Sequence, residues 1–313
     1  MSSSSSRAVD ILILGAGWTA SFLAPLCTAR NVVYAATTRD GRDGTIPFAF
    51  DPESDDNTSY RPLPDATTVL ITFPITQAGG SARLVKLYNE TRQSTVNNRS
   101  RFIQLGTSSM WGNHALQGVP RALRKQANEN KEPAPQLPIG FKWYDRNSDM
   151  TPSDRSNEED ELLKLSPSVP TTVLNLTGLW GGQRQPRKWI GRVAATKEML
   201  QSKGSLHLIH GHDLARAILA VHDNFDESSG QRWLLNDMRC YDWWDLAHAW
   251  SSGDAEGAGG ESDRGPQAKW VQEFLLDEGI RGLPRNVELL GRALDSREFW
   301  STFKLVPQFA RVN

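Results

Sequence analysis

The feature that most constrains this chain lies near its start, where a short apolar run is followed at once by two glycines. Residues 11–14 (ILIL) form a continuous apolar run, which is typical of a strand buried on both faces of a parallel sheet. Gly15 and Gly17 follow, and residues 19–29 then have a helical composition. The sequence therefore predicts a strand, a glycine turn and a helix, with Pro25 as a local kink in the helix.

Residues 11–29 contain no charged side chain and are long enough to resemble a signal peptide or a membrane span. Two glycines and a proline interrupt this stretch, however, and Arg7 is the only basic residue before it. Asp10 also adjoins the apolar run. A strand, a turn and a helix explain these residues better than either alternative.

The composition of the 313 residues favours a soluble globular protein of about two domains. Lys and Arg number 35 against 36 Asp and Glu, so the net charge of −1 provides no general attraction for nucleic acid or an acidic membrane. Cys27 and Cys240 are too few for a disulfide framework or a zinc site, and they fit a reducing compartment. We therefore expect a cytoplasmic protein without nucleic-acid or membrane partners. A homodimer is among the assemblies that the sequence leaves open.

Strand-like and helix-like segments alternate after residue 29, which predicts an α/β fold with a Rossmann-type, doubly wound parallel sheet. Strands are expected at 31–37, 67–73, 101–105, 171–176, 206–209 and 233–236. Helices are expected at 81–88, 157–165, 190–201 and from an N-cap at Asp213 to 222. The remaining long segments are predicted to be a disordered tail at 1–6, a lid or ordered excursion at 113–142 and a surface loop at 251–266.

The sequence GAGWTA matches the G-x-G-x-x-G/A pattern directly after a strand and at the start of a helix. Gly15 permits the tight turn, Gly17 has no Cβ to collide with a diphosphate, and Ala20 is small enough for the helix to pack on the strand. The backbone N–H groups of Trp18 and Thr19 would then face the phosphates. The pattern predicts a dinucleotide site. The alternative is a turn that only links the strand to the helix.

The end of the second predicted strand bears on the choice of nucleotide. A site that prefers NAD usually has an acidic residue about twenty positions after the glycines, to hold the ribose 2′-hydroxyl. Here the strand ends in Thr37, Thr38 and Arg39, so hydroxyls and a guanidinium favour a 2′-phosphate, and NADP(H) is predicted over NAD(H). Two alternatives stay open. Asp40 could pair with Arg39 or hold the ribose itself, and Arg39 could be a solvated loop charge.

Four segments occur in an order that runs through most of residues 8–240: ILILGAGWTASFL at the start, GTSSMWG at 106–112, LNLTGLWGGQRQ at 174–185 and LHLIHGHDLARAILAVH at 206–222. Together they resemble the short-chain dehydrogenase/reductase superfamily, in its extended branch of NAD(P)-dependent epimerase/dehydratase-like proteins. The resemblance implies a dinucleotide-binding domain over 8–176 and a smaller C-terminal substrate domain over 177–313, with 206–240 partly returning to the sheet. Phe73 and Pro74, where the third predicted strand ends, are counted among the cofactor contacts.

The resemblance also implies a catalytic hydroxyl. When Trp111 and Gly112 are set on the family's Tyr-Gly pair, Thr107 takes the position of the catalytic Ser or Thr. Ser108 and Ser109 then lie beside it as substrate contacts. Thr107 would hydrogen-bond a substrate carbonyl or hydroxyl. A cluster of Ser and Thr at a strand end is equally a common turn device.

The chain departs from the family in one respect, because the Tyr-x-x-x-Lys motif that supplies the acid or base is absent. When the helical EEDELL is aligned with the family segment, those two positions fall near Ser153 and Asn157, neither of which can do this chemistry. Tyr144 is the nearest upstream phenol and is the candidate substitute. Its alternative role is that of an amphipathic packing residue.

Three cations, Arg184, Arg187 and Lys188, follow the glycine-rich turn at 178–182, where the resemblance places substrate contacts. Arg184 is the predicted contact for a substrate carboxylate or phosphate. Exposed charges that only meet solvent are the alternative for all three.

Trp111, Trp143 and Trp180 adjoin segments expected at strand ends and are candidates for an aromatic wall of the substrate site, with burial in the core as the alternative. His207, His210 and His212 do not have the spacing of a metal site, so core or loop histidines are expected and no metal is predicted.

We therefore predict an NADP(H)-binding oxidoreductase or epimerase-like enzyme that acts on a small organic carbonyl or hydroxyl compound. Thr107 would orient the substrate, while Tyr144 or a water would supply the proton. One alternative is a lyase or isomerase without redox turnover on the same fold. The other is a cofactor-sensing protein without catalysis, for which the missing Tyr and Lys would be natural.

Overall fold

The alternating segments build one central sheet of seven strands in the computed structural model, which describes residues 8–92, 100–112, 141–252, 265–310 and 312. Within these residues the strands are β1 (Val9–Leu14), β2 (Tyr34–Thr38), β3 (Ile46–Pro47), β4 (Ala66–Ile71), β5 (Arg101–Thr107), β6 (Lys142–Tyr144), β7 (Thr171–Leu176), β8 (Gly178–Trp180), β9 (Ser205–Leu206), β10 (Leu208–His210), β11 (Gln231–Leu235), β12 (Tyr241–Asp242) and β13 (Arg292–Leu294). The predicted tail at 1–6 and most of the segments predicted at 113–142 and 251–266 lie outside the described residues.

The helices of the described residues flank this sheet or form a second, smaller core. They are α1 (Trp18–Ala29), α2 (Gly80–Glu90), α3 (Asp154–Leu163), α4 (Ile190–Val193), α5 (Lys197–Gln201), α6 (Gly211–Asp223), α7 (Trp243–Ser252), α8 (Gln267–Asp277) and α9 (Arg297–Thr302). None of them is both long and apolar enough to reach across a bilayer.

The central sheet has the order β11-β7-β5-β4-β1-β2-β3, and all neighbouring strands are parallel. After β1 the chain adds β2 and β3 on one side, and then crosses to β4 on the other side. The strand order therefore reverses between β1 and β4, which is the point where doubly wound sheets bind ligands at the carboxyl ends of their strands. The predicted α/β, Rossmann-type fold is confirmed.

The apolar run of β1 is buried on both faces. Ile11 and Ile13 pack with residues of α1 and α6, while Leu12 and Leu14 pack with residues of α2 on the opposite face. All four side chains are 0% exposed, which is why the run is continuous and does not alternate with polar residues. The predicted strand, turn and helix are present, and α1 runs through Pro25.

The C-terminal half contributes both to this sheet and to a separate apolar cluster. β11 pairs with β7 at one edge of the sheet, and α6 packs against α1. By contrast, α5, α7 and α8 pack around a cluster that includes Leu200, Trp244, Val271 and Phe274.

The prediction of one helix over 190–201 is wrong. Two short helices, α4 and α5, occupy this segment, and Thr196 separates them with extended backbone angles. The Thr196 Oγ1 accepts a hydrogen bond from the Met199 N–H at 3.2 Å, so a new helix begins there. The strand predicted at 206–209 is likewise divided, because His207 separates β9 from β10.

The prediction of Asp213 as the N-cap of the following helix is also wrong. α6 begins at Gly211, and the Nδ1 of His210 accepts a hydrogen bond from the His212 N–H at 3.2 Å as its cap. Asp213 lies in the first turn and is buried. Its carboxylate pairs with Arg216 and accepts the backbone N–H groups of residues 308 and 309, so it holds the C-terminal segment against α6.

Candidate functional site

The glycine turn after β1 is held by two threonines from the neighbouring strands. The Gly15 N–H donates to Thr37 Oγ1 at 2.9 Å, and Thr72 Oγ1 donates to the Gly15 carbonyl at 2.7 Å. Gly15 has a φ of +95°, and a Cβ at this position would lie 2.6 Å from Thr72 Oγ1. Only glycine fits here, because both the backbone angle and the close threonine exclude a side chain.

Gly17 differs from Gly15 because the space beside it is open. A Cβ at Gly17 would meet no atom within 4 Å. Gly17 is the N-cap residue of α1, and the first turn of α1 contains no acidic residue. An α-helix leaves its first N–H groups without intrahelical partners, so this end of α1 is suited to an anion. Nearby, Ala20 is buried in the core that joins α1 to the sheet, as its small size predicts.

A cavity of about 360 Å³ opens beside Gly17, at the carboxyl ends of the strands where the sheet order reverses. We call it the first cavity. It is lined by Gly17, Trp18, Thr19, Thr72, Pro74, Leu105, Gly106, Thr107, Arg155, Leu176, Thr177, Leu179 and Arg184. These described residues include two arginines and no carboxylate, so the charge of the cavity favours an anionic ligand.

A second cavity, of about 310 Å³, adjoins the first and shares Thr107, Leu176 and Thr177 with it. Its other lining residues are Ser108, Ser109, Gly178, Ser205, Leu206, His207, Trp243, Arg292 and Leu294. Thr107, Ser108 and Ser109 were predicted to lie together at a substrate, and the fold brings them to this cavity. Thr107 stands where the two cavities meet.

The Thr107 hydroxyl belongs to a local turn as well as to the cavities. Its Oγ1 accepts the Ser109 N–H at 3.2 Å and donates to Ser109 Oγ at 3.1 Å. This is the turn geometry that was the alternative explanation of the cluster. The turn fixes the position of the hydroxyl, because one Oγ1 lone pair is held by the backbone of the same segment.

A buried polar network lies behind Thr107. The Glu159 carboxylate accepts the Thr107 N–H at 3.1 Å, the Asn175 Nδ2–H at 2.6 Å and an Arg232 N–H at 3.3 Å. Glu159 and Asn175 are fully buried, and Arg232 is nearly so. Burial raises the pKa of Glu159, while Asn175, Arg232 and Arg155 act in the opposite direction.

Sequence reasoning missed this network, although one signal was present. Asn175 and Arg232 are polar residues in strands that otherwise have the composition of fully buried strands. A buried polar side chain needs a partner, so these two positions indicate a network even without coordinates.

Sequence reasoning also missed Arg155. It lies in the first turn of α3 and lines the first cavity. Its guanidinium donates to the Leu105 carbonyl at 2.9 Å and lies 3.4 Å from Glu159. The positions aligned with the missing tyrosine and lysine flank it in sequence, and Ser153 is the N-cap of α3. α3 therefore offers an arginine to the cavity.

His207 was expected to be a core or loop histidine, and it is buried at the second cavity. Its Nε2 accepts the Leu294 N–H at 3.0 Å, so the neutral ring carries its hydrogen on Nδ1. Burial, assisted by the nearby Arg292, lowers the pKa of His207 to about 3. The ring therefore stays neutral near pH 7 and is a hydrogen-bond donor at Nδ1.

Two of the predicted site residues lie behind the cavities instead of lining them. Trp111 is 0% exposed, and its Nε1 donates to the Ser148 carbonyl at 3.2 Å. Tyr144 packs against the same cluster, which includes Met110 and Leu294. Neither residue is among the described side chains that line the first or the second cavity. Both pack in the protein interior, which was the alternative role stated for each.

The other predicted site residues near strand ends, Trp180, Phe73 and Pro74, lie in three different surroundings. Trp180 packs edge-on against His210 at a centroid distance of 4.6 Å and lines neither cavity. Phe73 stacks on Phe50 at 5.8 Å, beside the glycine turn, whereas Pro74 lines the first cavity. Trp180 therefore lies outside both cavities, and the substrate wall predicted there stays a prediction.

Arg184 lines the first cavity, together with Gly17, and not the second cavity with the serines. Its guanidinium carbon lies 4.5 Å from the centre of the Trp18 ring. The neighbouring Arg187 instead donates to the Trp250 carbonyl at 3.2 Å. The fold therefore separates the cations that the sequence placed in one group.

At the end of β2, Asp40 pairs with Arg42 and not with Arg39. The Arg42 guanidinium lies 3.4 Å from the Asp40 carboxylate. A hydrogen bond from Thr38 is the largest cause that lowers the pKa of Asp40, with Arg42 contributing. Arg39 is exposed and has no ion pair among the described residues.

No protein-family model matches this chain, and no curated protein matches its sequence. Solved structures match it in fold. A short-chain dehydrogenase/reductase superfamily protein from Agrobacterium tumefaciens with bound NAD matches at a TM-score of 0.56 and 10% identity, over 97% of this chain and 93% of that chain. The UDP-N-acetylglucosamine 4-epimerase of Bacillus cereus matches at 0.55 and 9% identity, over 97% and 96% of the two chains. Yeast methylglyoxal/isovaleraldehyde reductase complexed with NADPH matches at 0.54 and 12% identity, over 96% and 94%.

These matches span nearly the whole of each chain, while the identities are low. They establish the architecture and not the chemistry. The resemblance stated from the sequence is confirmed at the level of the fold: this chain has the fold of the short-chain dehydrogenase/reductase and NAD-dependent epimerase/dehydratase structures.

Proposed function

We propose that this protein binds NADP(H) at the glycine turn and oxidises or reduces a small organic carbonyl or hydroxyl compound held in the second cavity. The observation that carries the proposal is the open position at Gly17. A cavity with no carboxylate among its described lining residues begins there and continues, through Thr107, into a second cavity. Two proteins of the same fold hold NADPH and NAD, which supports a nicotinamide dinucleotide as the ligand.

The preference for NADP(H) rests on the end of β2. Asp40 contacts Arg42 and not Arg39, so the Arg39 guanidinium is not neutralised by its neighbour in the chain. Arg39 is exposed and has no ion pair with a described residue, whereas the Thr38 hydroxyl is engaged by Thr45 Oγ1 at 2.7 Å. A guanidinium suits a 2′-phosphate better than a neutral 2′-hydroxyl.

The substrate chemistry follows from the groups at the junction of the cavities. A bound nicotinamide would supply or accept a hydride. The Thr107 hydroxyl would hold the substrate oxygen, because it is fixed by Ser109 and faces both cavities. The Nδ1–H of His207 is a second donor for a substrate in the second cavity. No carboxylic acid or phenol is found among the described residues that line either cavity, so we propose that a water delivers the proton.

The same lack of a carboxylic acid or phenol favours a second candidate, an NADP(H)-sensing protein that binds the nucleotide without turnover. The two candidates differ in a measurable way. A reductase consumes NADPH with some member of a panel of aldehydes and ketones, which is followed by the loss of NADPH absorbance. A sensor binds NADPH tightly and consumes none with any of them. Product formation that survives removal of the nucleotide would favour a lyase or isomerase instead.

Calorimetric titration with NADPH and NADH tests the nucleotide site. We expect the wild-type protein to bind NADPH more tightly than NADH, and Arg39→Ala to weaken NADPH binding by about 10- to 100-fold while NADH changes little. Arg30→Ala is the matched control, because Arg30 follows the opposite end of α1 and pairs with Asp223. If the wild-type protein takes up neither nucleotide, the proposed function is wrong.

A further inference from the structure

We propose that Arg184, held against the Trp18 ring, binds the diphosphate of the dinucleotide and thereby supplies the positive charge that the glycine turn lacks. This inference rests on the proposed function. It changes the role of Arg184 from the predicted substrate contact to a nucleotide contact.

Arg184 is joined to the start of α1 by two independent contacts. Its guanidinium carbon lies 4.5 Å from the centre of the Trp18 ring, within the range of a cation–π interaction. The Trp18 Nε1 in turn donates to the Gly181 carbonyl at 3.0 Å. Trp18 is the residue directly after Gly17, and Gly17, Trp18 and Arg184 all line the first cavity.

The backbone that carries Arg184 forms a tight turn. Gly181 and Arg184 exchange two backbone hydrogen bonds, at 2.9 and 3.1 Å. Gly181 has a φ of +109°, and a Cβ there would overlap the His210 ring, so only glycine allows this path. Gln185 Nε2 donates to the Gly182 carbonyl at 2.7 Å and closes the turn from the other side. The turn therefore presents Arg184 at a defined place.

The charges around Arg184 leave it available for an anion. It has no ion pair with a described residue, and the described lining of the first cavity contains no carboxylate. Arg155, the other cation of this cavity, is already engaged by Leu105 and Glu159. An exposed cation that is kept in place by an aromatic ring and lacks an acidic partner is suited to a ligand that brings its own negative charge.

Position decides between the nucleotide and the substrate as that ligand. Arg184 shares a cavity with Gly17, Trp18 and Thr19, and it does not line the second cavity that holds Ser108, Ser109 and His207. The N–H groups at the start of α1 hydrogen-bond phosphate oxygens but carry only partial charge. A guanidinium beside them complements a diphosphate in both charge and geometry.

The test separates the parts of the nucleotide by titrating three probes into the full-length protein. NADPH contains the whole nucleotide, 2′-phospho-ADP-ribose retains the diphosphate without the nicotinamide, and adenosine 2′-monophosphate has no diphosphate. We expect Arg184→Ala to weaken the first two by about 10- to 100-fold and to leave the third within about twofold. Trp18→Leu, which removes the ring that holds the cation, is expected to weaken the first two by a smaller factor.

Lys188→Ala is the matched control, because it removes the same charge four positions later from an exposed side chain that lines neither cavity. It should change none of the three affinities. Unchanged binding of NADPH and 2′-phospho-ADP-ribose by Arg184→Ala would overturn the assignment, and so would an equal loss with all three probes. The wild-type titration separates the two proposals. If the wild-type protein does not bind NADPH, the proposed function itself is refuted, whereas if it binds NADPH and Arg184→Ala binds it equally well, only the role of Arg184 is refuted.

Discussion

The Glu159 carboxylate accepts a hydrogen bond from the backbone N–H of Thr107 at 3.1 Å, and so connects α3 to the carboxyl end of β5. The other oxygen of Glu159 accepts N–H groups from Asn175 and Arg232. The strand end that carries Thr107 is therefore fixed from behind by a carboxyl group that has no contact with solvent. The Thr107 side chain itself lines both cavities.

We expect Glu159→Leu to lower the free energy of unfolding by about 1–3 kcal/mol, because it leaves the Thr107 N–H unpaired and removes one of two carboxylates from Arg232, which keeps its ion pair with Asp160. Urea denaturation measures the effect. Glu161→Ala on the same helix is the control, since its partly exposed pair with Lys164 is worth at most about 1 kcal/mol. Equal losses in the two variants would show that the network does not stabilise the fold.

The hydroxyl of Thr107 should act on turnover and not on nucleotide affinity. We expect Thr107→Ala to lower kcat by about 100-fold, as for other single donors to a reacting oxygen, and to leave the Kd of NADPH unchanged. Thr107→Ser keeps the hydroxyl and should restore most of the activity. Steady-state kinetics with calorimetry on the same preparations separate the two quantities, and full turnover by Thr107→Ala would contradict the assignment.

Substitution of Gly15 should mainly lower stability, whereas substitution of Gly17 should mainly lower nucleotide affinity. Gly15→Ala places a Cβ at a φ of +95° and against Thr72, so we expect a loss of about 2–4 kcal/mol in the free energy of unfolding. The Cβ of Gly17→Val meets open space in the protein, so the substitution should cost no more than about 1 kcal/mol, but it places a branched side chain at the edge of the first cavity. NADPH binding should then fall at least about 10-fold. A Gly17→Val variant with wild-type affinity would remove the nucleotide from this turn.

Asp237 should make stability depend on pH. Its buried carboxyl accepts the Tyr241 hydroxyl at 2.6 Å and the Arg239 N–H at 3.1 Å, and burial raises its pKa from 3.8 to about 6. Because the folded pKa exceeds the unfolded one, the favourable contribution is complete below about pH 4 and is lost as the pH rises through about 6. The Asn side chain of Asp237→Asn stays neutral at every pH. The difference in unfolding free energy between the variant and the wild type should therefore shift by about 2–3 kcal/mol in favour of the variant as the pH rises from 4 to 7.

Urea denaturation of both proteins across that pH range is the measurement for Asp237. The amide of the variant retains an acceptor oxygen for one of the two native donors, so a large loss of structure is not expected. Parallel curves for the variant and the wild type would mean that the Asp237 carboxyl does not titrate differently in the folded and unfolded chains.

Local order was largely predictable. The run at 11–14 is buried on both faces, and its composition alone indicated this. Gly15 and Gly17 were recognised from their spacing after a strand. Short-range signals were sufficient because they act through the backbone angles and side-chain periodicity of a few neighbouring residues. The local signal for a helix start was less reliable. Asp213 resembles an N-cap, but its carboxylate accepts backbone N–H groups from a segment about one hundred residues later in the chain.

The site itself depends on tertiary structure. Arg155 and Arg184 come from a helix and a turn whose sequences contain no phosphate-binding motif, and they reach one cavity because the sheet brings the strand ends together. Trp111 follows Thr107 closely in sequence, and Tyr144 is the nearest phenol before the positions aligned with the missing motif. Both nevertheless pack into an apolar cluster. The sequence by itself determined the order of strands, helices and the glycine turn, because these follow from contacts between near neighbours. Only the tertiary structure decided which side chains face the cavities, because that depends on how distant elements pack against one another.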